Sequence, residues 1–141
     1  METANKTMIT VANTVNAPVE KVWAYWTGPE HITQWNNASD DWHTPSSSND
    51  LRVGGRFTAR MEAKDGSFGF DFWGIYDEVK PNELIAYTMG DGRKAKVFFT
   101  KEGNATKLVE TFEAETENSV ELQRGGWQNI LDNFKKYTEA N

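Results

Sequence analysis

The sequence has no cysteine, which excludes disulfides, thiol nucleophiles and cysteine-based metal sites. Histidine is scarce. His31 and His43 are the only two, and they form neither a His-x-x-x-His nor a His-x-His pair, so no metal site is expected. Positive charge is also short: 15 Lys and Arg stand against 21 Asp and Glu, for a net charge of -6. That sign disfavours nucleic acids and anionic membranes, and neither is expected as a partner. No window approaches the ~18 apolar residues of a membrane span. The polar first seven residues do not resemble a secretion signal, so the expected location is the cytoplasm. There the glycosylation-type tripeptides at Asn5, Asn37 and Asn104 carry no meaning. No Gly-rich loop joins a strand to a helix, and no serine sits in a nucleophile elbow. Neither a cofactor nor a catalytic set is therefore expected.

What the chain has in quantity is aromatic side chains: six Trp, eight Phe and four Tyr in 141 residues. Rings of that size fill a core or line a pocket. The length fits one domain, spanning residues 1–141, with one core.

The chain is organised around its last helix, expected over about residues 117–137. Trp127, Ile130, Leu131 and Phe134 fall at i, i+3, i+4 and i+7, one apolar stripe on the helical period. Asn129, Asp132, Asn133, Lys135, Lys136 and Glu139 take the wet side. Gln123 points roughly the way Trp127 does, and Gly125-Gly126 interrupts the pattern. Two readings of the glycine pair stand: room for a ligand cavity, or a kink or close packing point against a strand.

Before that helix, residues 8–15 alternate as a strand. Ala17-Pro18 then opens a helix, with Pro18 at its first position and Val19, Val22, Trp23 and Trp26 on its apolar side. Gly28-Pro29 breaks it and starts a second short helix to about Trp35. Residues 36–49 are the loosest stretch, a polar loop carrying Trp42 and His43. From Asp50 strands follow: Arg56–Ala63, 68–79, Leu84–Met89, 94–100 and 106–112. Asp65-Gly66 and Asp91-Gly92 mark hairpin turns. Gly74 suggests a bulge or bend inside its strand. Connections this short make an antiparallel meander.

These motifs resemble a known family. Val15-Asn16-Ala17-Pro18 with Val22-Trp23 resembles the opening of the START-like, or SRPBCC, superfamily. Pro29-Glu30-His31-Ile32 with Trp35 resembles its second helix. Val53-Gly54-Gly55-Arg56-Phe57, Asp71-Phe72-Trp73-Gly74-Ile75-Tyr76, Pro81-Asn82-Glu83-Leu84 and Gly126-Trp127 with Leu131 resemble the AHSA1-like branch. That branch is related to the C-terminal domain of the activator of Hsp90 ATPase. The resemblance implies an α+β helix-grip fold, START/Bet v 1-like, ordered β-α-α-β(about six)-α. In such a fold a curved antiparallel sheet wraps around a long C-terminal helix and leaves a cavity between them. It further implies a hydrophobic small molecule as partner. The Hsp90 activators carry an additional N-terminal domain, which this chain lacks, so direct chaperone activation is a weaker expectation.

The residues expected to line the cavity come from three places. Gln123, Trp127 and Ile130 come from the helix; Phe57, Phe70, Phe72 and Tyr87 come from the sheet; Trp35, Trp42 and His43 cover the mouth. A register slip of one residue would bring in Trp73 and Met89 instead. Alternation puts Asp71 in solvent while Phe70 and Phe72 face in, and Arg60 has a cross-strand carboxylate as its ordinary partner. Three functions compete: binding of a hydrophobic or aromatic molecule, catalysis of polyketide cyclase or hydrolase type, and Hsp90-associated interaction. Catalysis requires an inward ionisable group, to be sought among Asp71, His43 and Glu110.

Overall fold

The computed structural model describes residues 7–141. Residues 1–6, with the Asn5 tripeptide and most of the polar N-terminal stretch, lie outside them. The elements are β1 (Met8–Val15), α1 (Val19–Thr27), α2 (Pro29–Trp35), β2 (Trp42–Asn49), β3 (Arg56–Ala63), β4 (Gly69–Lys80), β5 (Leu84–Met89), β6 (Lys94–Glu102), β7 (Ala105–Glu113) and α3 (Val120–Ala140). The seven strands form one curled antiparallel sheet in the order β1-β7-β6-β5-β4-β3-β2. Strands β2 to β7 are a meander, and β1 returns to pair with β7. The helix-grip order read from the sequence is the order observed.

The hairpins form where Asp-Gly placed them. Gly66 and Gly92 have φ of +78° and +93°, a region open to glycine without steric cost. Register then fixes the faces, because directly paired residues share one side of a sheet. Ala59 pairs with Phe72, Met61 with Phe70, Tyr76 with Tyr87 and Phe99 with Leu108, all on the concave side. Trp73 faces the convex side, where the Arg56 guanidinium lies over its ring at 4.2 Å. Trp73 is thus no cavity liner, and the alternative register falls. Met89 is buried in the core but does not line the cavity described below.

Four local expectations need correction. Residues 42–49 are a strand, not a loop: β2 pairs with β3 as the sheet edge. Its composition, WHTPSSSN, hides this, because an edge strand has little apolar surface to bury and proline is tolerated there. The bulge of β4 lies between Tyr76 and Glu78, not at Gly74. Gly74 is small for another reason: a Cβ there would sit 2.7 Å from the Phe57 ring. Pro18 caps α1 from an extended conformation instead of occupying its first turn. Lastly, α3 begins at Val120, where the Ser119 hydroxyl accepts from the Leu122 N–H at 3.0 Å.

The apolar stripe of α3 is buried as its period required: Leu131 and Phe134 are fully enclosed, and Trp127 and Ile130 are partly so. Its flank is less wet than expected. Gln128 Nε2 donates to the Ala12 carbonyl, Lys135 Nζ to the Thr14 carbonyl, and Glu139 accepts from the Asn16 N–H. These bonds cover the free edge of β1, which would otherwise offer unpaired backbone groups. Gly125 and Gly126 fit neither reading: the helix runs through them, and a Cβ on either would meet nothing within 4 Å. Nothing in the packing explains glycine there.

Candidate functional site

Between α3, the α1–α2 pair and the concave face of the sheet lies a cavity of about 240 Å³. Its helical wall is Trp26, Ile32 and Trp35 on one side and Trp127 and Ile130 on the other. Its sheet wall is Phe57, Ala59 and Met61 of β3, Phe70, Phe72 and Tyr76 of β4, Ile85 and Tyr87 of β5, and Glu110 of β7.

The rings are locked by one another. Trp127 stacks on Phe112 at 3.7 Å between centroids and meets Phe72 edge-on at 6.3 Å. Phe57 packs against Tyr87 at 4.9 Å and Tyr76 at 5.4 Å. Trp35 donates its indole N–H to the Tyr25 carbonyl at 3.0 Å, which leaves its ring to face Trp26 and Phe134. A wall built this way holds its shape without a guest.

The polar groups are few. Tyr76 donates to Asn49 Oδ1 at 2.6 Å, and Asn49 in turn donates to the Thr27 carbonyl at 2.7 Å, so that hydroxyl ties β4 to α1 through β2. Glu110 is different. It is only 5% exposed, and it has no hydrogen bond or ion pair among the described residues. Its flanking residues on the sheet are Val97 and Val11. Burial among them pushes its carboxyl up to about 8, so it carries its proton at neutral pH. The Tyr87 hydroxyl is also held un-ionised, first by burial and then by the nearby Glu110 carboxyl.

Of the residues named from sequence, Trp35, Phe57, Phe70, Phe72, Tyr87, Trp127 and Ile130 meet around this cavity. Three do not. Gln123 is buried but spent on the β7–α3 turn: its amide donates to the Glu115 and Asn118 carbonyls, and its oxygen accepts from the Glu115 N–H. His43 is outward, with Nε2 3.8 Å from the Glu62 carboxylate. Trp42 joins Phe68 and Phe70 in an aromatic cluster, and of these three only Phe70 lines the cavity. Asp71 lies outside, 3.5 Å from Arg60, as alternation indicated.

Two kinds of liner lie outside the ten named from sequence. Trp26 belongs to the apolar side of α1 and Ile32 to the second-helix motif, and no local signal places either on a cavity. Glu110, sought only as a group for catalysis, had a signal. On β7 it falls in phase with Thr106, Leu108 and Phe112, all buried. Among the described residues no group of three or more His, Cys, Asp or Glu is arranged to hold a metal, and no helix is long and apolar enough to cross a membrane.

The family model described as "Activator of Hsp90 ATPase homolog 1-like protein" matches residues 16–139. No curated protein matches the chain. Among solved structures, an AHSA1-like protein from Aeromonas hydrophila is 46% identical, with a TM-score of 0.89, over 95% of this chain and 93% of that one. A protein from Cytophaga hutchinsonii is 54% identical, with a TM-score of 0.80, over 98% and 94%. A protein from Chromobacterium violaceum shares the fold at 22% identity, with a TM-score of 0.85. With the family match covering most of its length and two relatives near half identity, the chain belongs to the activator of Hsp90 ATPase homologue 1-like family of the START/SRPBCC superfamily.

Proposed function

We propose that the protein binds a small hydrophobic or aromatic molecule in the cavity between the sheet and α3. The observation that carries this reading is the cavity itself: a preformed space walled by rings held in fixed orientation, with one unpartnered carboxyl on its wall. Space lined by so many apolar side chains costs stability, which favours a site over a plain core. The volume is modest, about 240 Å³, below the ~300–1,000 Å³ of drug-sized sites. A dry cavity of roughly 150 Å³ holds benzene, so the guest is on the scale of two rings.

The test is co-purification of the protein from its own host, followed by mass spectrometry of what it carries. A recurrent small apolar compound, absent from a variant with Ala59 enlarged to Phe, supports the reading. A protein that carries nothing, and whose Trp127 indole signal ignores a panel of two-ring compounds, refutes it.

Two further readings each have one observation in their favour. Glu110 is an inward ionisable group, which a cyclase or hydrolase would need as general acid or base. Turnover of a cavity ligand, abolished in Glu110→Gln, would support it. The cluster of Trp42, Phe68 and Phe70, with Phe68 62% exposed, is the kind of apolar surface a chaperone partner would cover. Capture by purified Hsp90, lost in Phe68→Ser, would support that.

A further inference from the structure

The chemistry of the cavity wall narrows the guest further than its size does. No Lys, Arg or His stands among the described residues that line it. An anionic guest would therefore meet no compensating charge, and would sit beside a carboxyl on a mostly apolar wall. A cationic guest would require Glu110 to ionise between Val11 and Val97, so that two charges lose their water for one contact. A neutral guest with an acceptor oxygen asks for neither. It gives the Glu110 O–H the partner it lacks among the described residues.

Building on the ligand-binding reading above, we propose that the site takes a neutral, roughly two-ring aromatic molecule bearing a carbonyl oxygen, which accepts a hydrogen bond from the Glu110 carboxylic acid. The body of the guest lies against Trp127, Phe72 and Phe57, and the carbonyl points toward β7. The raised protonation range of Glu110 fits this, since the donor keeps its proton through neutral pH. Tyr87, on the same wall, is a second neutral hydroxyl that burial keeps from ionising. The wall thus offers donors and no cation.

The experiment is a matched series on one scaffold: 2-acetylnaphthalene, 2-ethylnaphthalene, 2-naphthoate and 2-(aminomethyl)naphthalene. Each is titrated calorimetrically near neutral pH into the wild type, Glu110→Gln and Glu110→Leu. The acetyl compound is expected to bind the wild type about 5–10-fold more tightly than the ethyl compound, the scale of one buried neutral hydrogen bond. The naphthoate and the amine should each bind more weakly than either. Glu110→Gln keeps an N–H donor and should keep the acetyl preference; Glu110→Leu should abolish it while still binding both neutral compounds. Tightest binding by the amine or the naphthoate overturns the proposal, as does an acetyl preference that survives in Glu110→Leu. Should Glu110→Leu not fold, loss of the preference in Glu110→Gln would overturn it alone. Equal wild-type affinities for acetyl and ethyl leave the cavity standing and remove the acceptor assignment. If none of the four binds, both readings fall together.

Discussion

The indole of Trp127 lies flat on the ring of Phe112, with centroids 3.7 Å apart and planes 11° apart. Phe112 shares the concave face of β7 with Glu110, two residues away. One stacked pair therefore joins α3 to the strand that carries the cavity's carboxyl. It also sets how far the helix stands from the sheet, and so how much space remains beneath it.

Trp127→Ala should cost about 2–4 kcal/mol, less than a fully enclosed tryptophan because part of the indole is exposed. Trp127→Phe keeps a stacking ring and should cost no more than about 1.5 kcal/mol. Urea unfolding of the two variants measures both. Equal losses would mean that the stack itself contributes little and that only the polar edge of the indole matters.

Glu110 gives stability a pH dependence of unusual sign. Its carboxyl holds a proton up to about 8 in the folded protein, but only to ~4.3 when unfolded. Between those values the folded state binds the extra proton. The contribution is thus complete below the unfolded value and is lost as pH rises toward about 8. The titratable groups sharing the cavity are Tyr76 and Tyr87, both shifted upward and neutral throughout. The other neighbours are apolar: Val11, Val97, Trp127 and Ile130. Relative to Glu110→Gln, the wild type should lose up to about 1.4 kcal/mol per pH unit across this window. That is roughly 3–5 °C in Tm per unit for a chain of this size. Thermal melts of both proteins from about pH 5 to 8 test it, and parallel curves would place the carboxyl in water.

The strands that alternate cleanly were legible in advance. Phe57, Ala59 and Met61 announced the inner face of β3, and Phe70 and Phe72 that of β4, because a half-buried strand writes its two faces at period two. Strand β2 wrote nothing, since an edge strand of serines buries almost no side chain. Gln123 was legible as an inward residue but not as the anchor of the β7–α3 turn, since its partners are backbone carbonyls that no sequence pattern announces. Glu110 stood in the correct phase all along. Alternation alone places it inward, and a carboxyl buried against the cost of desolvation is a violation of the kind that sites show.

Gly74 tests the sheet wall. A Cβ added there would lie 2.7 Å from the Phe57 ring and 2.8 Å from the Thr88 carbonyl. Neither a ring packed against Tyr87 nor a backbone oxygen in the sheet yields cheaply. Gly74→Ala should cost about 1–3 kcal/mol through overpacking. It should also tilt Phe57 toward the cavity and weaken binding of two-ring compounds. A Gly74→Ala protein of wild-type stability would show that Phe57 swings freely and that the wall is not preformed.

Gly125 and Gly126 make the opposite prediction. A Cβ at either meets open space, and each glycine costs a helix ~1 kcal/mol against alanine. The double alanine variant should therefore be more stable by about 2 kcal/mol. Neither residue lines the cavity, so the equilibrium affinity for an aromatic guest should not change. What should change is local opening. The weak segment lies immediately before Trp127, so its amides should exchange more slowly with solvent once alanine strengthens the helix. Slower association of the guest, at unchanged affinity, would mean that entry passes through a transient loosening of the first turns of α3. Destabilisation by the alanines would instead require a partner surface that occupies the space beside the two glycines.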